Sequence, residues 1–303
     1  ALLLAAGFLL DQPLLGAAAA AALVYLLLAH RHPDQAWTLV WLAFPFSIEM
    51  LIPGGNALYV PAEPMIALAL LAGAVLVLAG GPIRLPRSSL HAPLAALAAA
   101  TLLSVAFSPY PLLGLKGWIV AAGYVAFAYL YCFLDQSDAA RAGRWIPWVV
   151  GSGALWGLYG TARVTIDGVS LKHAYGLARP FFTEHGAYGA YLAMILPLAL
   201  LLVLERRGRA QALYAAASLA IALGVVFSFT RAAWVSLAIV LPPTAGLWSW
   251  WRRSLKPVAL LAALAALVLV VLLGIGAGAG VTRHASSIAE RENVSNLERV
   301  NRW

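Results

Sequence analysis

Ten stretches of this sequence come close to the length and apolarity that a lipid bilayer demands of a spanning segment: 14–29, 36–52, 63–80, 90–107, 114–134, 145–162, 184–204, 211–229, 231–250 and 257–280. Crossing the hydrocarbon core takes about 20 predominantly apolar residues. Lipid offers the backbone no hydrogen-bonding partner, so a spanning segment is a helix or part of a closed barrel. Runs of this length without strict alternation predict helices. The expected fold is therefore all-α, a polytopic transmembrane bundle of about 10–11 helices that crosses the bilayer about ten times, with Ala1–Leu10 reading as the tail of one further helix. Composition agrees: 11% of residues are charged, against about 25% in a soluble domain. The mean hydropathy is +0.86. The lone cysteine, Cys132, lies in an apolar run, and one thiol builds no disulfide framework.

The connectors carry Pro33, Pro53-Gly54-Gly55, Pro86, Pro109, Pro111 and Pro242-Pro243, residues that end regular structure. The boundary between 211–229 and 231–250 is a single residue wide, the shortest of them. The chain opens inside an apolar run and stops inside a charged segment, so it reads as a fragment of a longer protein. Residues 1–280 form the expected transmembrane domain and 281–303 the start of a large, incomplete outer-face loop.

Charge sets the expected orientation. Alternate connectors 30–35, 81–91, 135–144, 205–210 and 251–256 hold eleven Lys/Arg against four Asp/Glu, while the rest of the chain holds nine against eight. Dense basic clusters in short loops, such as Glu205-Arg-Arg-Gly-Arg209, mark the cytoplasmic side. Trp145, Trp148, Trp248, Trp250 and Trp251 crowd the same boundary, as interfacial tryptophans do. The formal charge of +8 is accounted for by this pattern, so no nucleic-acid partner is expected. Polar sequence gathers on the other side, in the 163–184 connector, the Thr230-Arg231 junction and the tail from Val281.

Three places there could carry chemistry. Arg179, Glu184 and His185 precede the run at 184–204. An arginine at such a boundary can hold a phosphate bidentately, or anchor the helix by snorkelling and pair with Glu184. Glu184 and His185 also suit a general acid/base pair, although adjacent helical residues point about 100° apart. Arg231 is the one charge between Arg209 and Arg252. A lone arginine in so apolar a stretch marks a functional site by default, with a topology anchor as the plain alternative. In the tail, Ser295 and Glu298 read as a capping box. Val294, Leu297, Val300 and Trp303 then form one stripe, which suggests a short interfacial helix with Arg299 and Arg302 on its wetter side. Metal-ligand spacings, Walker motifs and dinucleotide fingerprints are missing from the sequence.

Arg179-Pro-Phe-Phe-Thr-Glu-His-Gly-Ala-Tyr-Gly-Ala-Tyr-Leu-Ala-Met-Ile-Leu-Pro197 resembles the outer-face arginine segment of the O-antigen ligase and polymerase superfamily. Phe229-Thr-Arg-Ala-Ala-Trp-Val-Ser-Leu237 looks like its second signature, a Thr or Ser, then Arg, then small residues opening a helix. Ser295-Asn-Leu-Glu-Arg-Val-Asn-Arg-Trp303 is similar to the start of its large periplasmic loop. Members commonly carry an asparagine where this chain has Glu184-His185-Gly186. The resemblance covers roughly the second half of the chain.

The resemblance implies a metal-independent glycosyltransferase of the bacterial inner membrane, with no cofactor and an active site facing the periplasm. It would move a glycan from undecaprenyl diphosphate to lipid A–core, as a ligase, or to a growing glycan, as a polymerase. Arg179 and Arg231 are the expected catalytic residues, with His185 as a candidate base; Arg283, Glu184 and Arg299 are expected to bind substrate. A membrane anion transporter is the competing class, since intramembrane arginines suit a carrier as well.

Overall fold

A computed structural model describes residues 13–52, 56–79, 89, 91–133, 145–182, 184–274 and 282. Helices dominate, and they follow the apolar runs. The described residues fall into two compact units that meet in sequence between Trp145 and Ile146.

The first unit contains α1 (Pro13–Arg31), α2 (Pro33–Ala43), a 3-10 turn (Phe44–Phe46), β1 (Ile48–Ile52), β2 (Asn56–Val60), α3 (Ala62–Leu78), α4 (His91–Ala106) and α5 (Pro111–Phe133). Its core joins Tyr25 and Ala29 of α1, Trp37 and Val40 of α2, Ile66 and Ala69 of α3, and Phe127 of α5. The Tyr25 hydroxyl, buried there, donates to the Ala36 carbonyl at 3.1 Å. Trp37, Trp41 and Trp145 pack with ring centroids 4.8–5.8 Å apart.

Here the expected span at 36–52 is corrected, and a two-stranded hairpin is added to an otherwise helical structure. The segment is a helix to Ala43, a 3-10 turn and then a strand paired antiparallel with β2 in the register Ile48↔Val60 to Ile52↔Asn56. Pro45 lacks the N–H that would continue α2. β-Branched Ile48, Ile52 and Val60 flank Pro53-Gly54-Gly55, the composition of a hairpin rather than a span.

The second unit contains α6 (Ile146–Asp167), the single turn α7 (Leu171–Ala174), α8 (His185–Glu205), α9 (Gly208–Phe227), α10 (Arg231–Arg252) and α11 (Lys256–Gly274). α6, α8 and α9 form its spine. Gly157 of α6 lies so close to the Ala220 backbone of α9 that a methyl group there would collide with the carbonyl. A methyl on Gly224 would meet Gly157 Cα at 2.8 Å and Tyr188 Oη at 2.9 Å. Small residues at such crossings let helix backbones approach, as they do where lipid removes the hydrophobic drive between helices. The buried Tyr188 hydroxyl donates to the Trp156 carbonyl at 2.8 Å, joining α8 to α6.

Among the described residues, five helices are long and apolar enough to cross a membrane: Pro111–Ala128 within α5, and α8, α9, α10 and α11. α4, and the parts of α1 and α3 at Gly16–Arg31 and Ala62–Val75, are apolar but shorter. Pro242 and Pro243, expected in a connector, lie inside α10. Lipid surroundings would favour this, because a broken helix would leave more backbone groups unpaired than two prolines do. At the far end of α10, the Arg252 guanidinium lies 5.8 Å from the Trp248 ring centre and 5.3 Å from that of Trp251, a cation–π arrangement.

Candidate functional site

The turn from α9 into α10 takes only Ser228, Phe229 and Thr230. Phe229 accomplishes the reversal at φ +50°, a left-handed conformation that costs a bulky residue about 1–3 kcal/mol and persists where its surroundings enforce it. Those surroundings are a closed set of hydrogen bonds. The Ser228 hydroxyl donates to Val225 O at 2.7 Å and accepts the Thr230 N–H at 3.2 Å. Trp234 Nε1 reaches back from α10 to the same Val225 carbonyl at 2.9 Å.

Thr230 holds the position of a helix N-cap, but its hydroxyl does not cap α10. It donates instead to His185 O at 2.9 Å, pinning the start of α10 to the start of α8. Gly189 of α8 makes room for this contact. A Cβ there would lie 2.6 Å from both Ser228 Oγ and Thr230 Oγ1.

Away from this junction the two helices run in the same direction and leave a cavity of about 770 Å³ between them, within the usual range for small-molecule sites. Gly186, Ala190, Ala193, Met194 and Pro197 line it from α8, and Ala233, Ser236, Leu237 and Val240 from α10. Both sets recur at helical spacing and so form one face of each helix. From Gly186 to Pro197 the wall is about 16 Å long at 1.5 Å per residue. Its polar end holds Arg231, His185, Thr230 and Tyr175. The Tyr175 and His185 rings meet edge to face with centroids 4.3 Å apart.

The chemistry of this end is cationic. Arg231, the first residue of α10, is partly buried. Two helix N-termini open beside it, each carrying roughly half a positive charge. Such an arrangement favours an anion, and a guanidinium offers a planar oxyanion two parallel hydrogen bonds. Below it the walls are apolar apart from Ser236.

The expected site residues divide. Arg231 and His185 line the cavity together. Arg179 stands exposed on the preceding turn, which is anchored by buried Leu177, Ala178 and Phe182. Glu184 is exposed at the N-cap of α8, with extended backbone and no side-chain cap bond. Neither Arg179 nor Glu184 belongs to the cavity lining, and Glu184 and His185 take different surroundings. Arg283 and Arg299 lie outside the described residues, as does the interfacial helix expected after Val281. Among the described residues, no three His, Cys, Asp or Glu side chains gather as a metal site would require.

The tie from Thr230 to His185 was not anticipated, since it joins residues 45 apart and needs the packing of α8 on α10. The signal for the cavity was present as small residues at helical spacing after both His185 and Arg231. Compared with known protein families, curated proteins and solved structures, the chain has no match.

Proposed function

We propose that the chain is a multi-pass membrane glycosyltransferase of the O-antigen ligase type, working at the periplasmic face of a bacterial inner membrane. Its donor is a glycan on undecaprenyl diphosphate and its acceptor is lipid A–core. In this reading the hairpin replaces the expected span at 36–52, the bundle crosses the bilayer about nine times, and the 30–35 connector moves to the side opposite the four later basic connectors. The observation that carries the proposal is a cavity with Arg231 and His185 at one end and an apolar body between two helices long enough to cross a membrane. That polarity suits a molecule with an anionic head and a hydrocarbon tail.

As the glycosidic bond breaks, negative charge builds on the diphosphate leaving group. Arg231, aided by the N-termini of α8 and α10, stabilises that charge where water is scarce. His185 accepts the proton of the attacking acceptor hydroxyl. Arg179, exposed on the adjoining turn, meets the donor from the aqueous side. A carrier of anions needs polar groups along its path, whereas the described lining places its one arginine at an end. This favours an enzyme over a transporter.

The test is glycan transfer from a lipid-diphosphate donor by reconstituted protein. Removal of a donor that acts in the transition state typically costs about 10²–10³ in rate, so Arg231→Ala should lose that much while inserting normally. Arg231→Lys retains the charge without the planar fork and should recover only part of the rate. Normal turnover by well-inserted Arg231→Ala would remove Arg231 from the reaction. Offering lipid A–core and free glycan as alternative acceptors separates a ligase from a polymerase.

A further inference from the structure

The hairpin of the first unit presents two physical requirements that conflict in either bulk phase. Along the chain from the 3-10 turn into β1, Phe44, Phe46, Ile48 and Met50 are 40–54% exposed. The residues between them are buried Pro45, buried Ser47 and partly buried Glu49. The alternation of a strand is thus inverted, with large apolar side chains outward and small or polar ones inward. Water opposes that stripe: burying a side chain of this size is worth roughly 1.5–3 kcal/mol.

Hydrocarbon opposes the backbone. Among the described residues β1 and β2 form a sheet of two strands, so within these residues each strand has an edge without a sheet partner, and open edges do not occur against lipid tails. One group near that edge is satisfied from within, since the Tyr59 N–H donates to Glu63 Oε2 at 3.1 Å. Glu63 Oε1 accepts the Tyr124 hydroxyl of α5 at 3.2 Å, and Ser47 Oγ accepts the Ala62 N–H at 3.1 Å. These bonds fix both ends of the hairpin to the start of α3 and leave the apolar stripe facing outward.

A layer that satisfies both requirements exists between the two phases. Resting on the reading of the chain as a membrane protein, we infer that the hairpin binds the headgroup layer of the bilayer, with Phe44, Phe46, Ile48 and Met50 against lipid. Five strand residues extend about 17 Å, whereas the headgroup layer is only about 5–8 Å thick on each side. The hairpin therefore lies flat, its edges wet and its stripe immersed, as a monotopic anchor does.

Depth-resolved quenching tests this. In a Cys132→Ala background, Met50→Cys or, as a second variant, Ile48→Cys carries a small fluorophore. Leu267→Cys, in the middle of α11, carries the same probe as a reference. The proteins are reconstituted in phosphatidylcholine vesicles containing lipid with a nitroxide at the headgroup or near the chain end, and iodide is added outside or trapped inside. The hairpin probes should lose more fluorescence to the shallow nitroxide than to the deep one, and Leu267→Cys the reverse. Stronger quenching of the hairpin by the deep nitroxide would overturn the inference. So would iodide quenching without lipid quenching, which places the stripe in water, or protection from all three quenchers, which places it under protein such as a second copy. Loss of lipid quenching at Leu267→Cys as well would overturn the membrane reading itself.

Discussion

Replacing Gly189 by alanine tests the junction that sets Arg231 beside His185. The added methyl would lie 2.6 Å from Ser228 Oγ, 2.6 Å from Thr230 Oγ1 and 2.7 Å from Thr230 Cβ, in a turn buried at all three residues. Thr230 cannot turn away without losing its bond to His185 O, and Ser228 is held to Val225 O. The start of α10 must therefore move from α8 by some tenths of an ångström. Overpacking of this kind costs roughly 1–3 kcal/mol, well above the ~0.5–1 kcal/mol that alanine contributes over glycine in a helix. The displacement should also reduce turnover, since misplacing a catalytic group by about 1 Å can cost on the order of 10²-fold. Gly246→Ala in α10 has nothing within 4 Å and serves as the reference. Thermal unfolding in detergent and transfer in vesicles are the two assays. A Gly189→Ala protein as stable and as active as Gly246→Ala would refute the close approach of α8 to the 228–230 turn. A stability loss without a rate loss would separate the packing from the reaction.

Three further outcomes are expected. Tyr188→Phe removes the 2.8 Å bond to the Trp156 carbonyl, which keeps its donor within α6, and should lower stability by about 0.5–1.5 kcal/mol, read from the same thermal assay. If arginine rather than a metal neutralises the leaving group, as the proposed mechanism requires, activity should survive EDTA; loss with recovery on adding a divalent ion would contradict this. Cysteines at Arg207 and Lys172, in otherwise cysteine-free protein, should label from opposite sides of the membrane, Lys172 from the periplasm, and labelling from one side would sink the orientation.

The helices were legible where an apolar run is closed by charge. α8 runs from His185 to Glu205 against an expected 184–204, and Arg231 opens α10 where the run at 231–250 begins. The hairpin was obscured because 36–52 is apolar but for Thr38, Ser47 and Glu49, and hydropathy weighs a helix and a buried strand alike; Pro45 and the Pro-Gly-Gly turn carried the better information. Pro242-Pro243 carry the signal that ends a helix in water, yet they lie within the apolar run at 231–250 that α10 occupies. Of the site, the isolated charge at Arg231 stood out. Its cavity did not, because a void is defined by side chains that are small on two helices at once.

The two walls of the cavity differ in how firmly they are packed. α8 has 56% of its span buried and is wedged by Tyr188 and the glycine crossings of the spine, whereas α10 has 17% buried, with only Ala233 and Ala245 among its fully buried residues. On the proposed function, a guest wider than the groove would move α10 more readily than α8. α10 is tethered at its Thr230 end and carries Pro242 and Pro243 near its middle, where prolines permit bending, so the movement would be smallest beside Arg231 and largest at the apolar end of the groove. Recognition of an anionic head and accommodation of tail width would then be separate mechanical tasks.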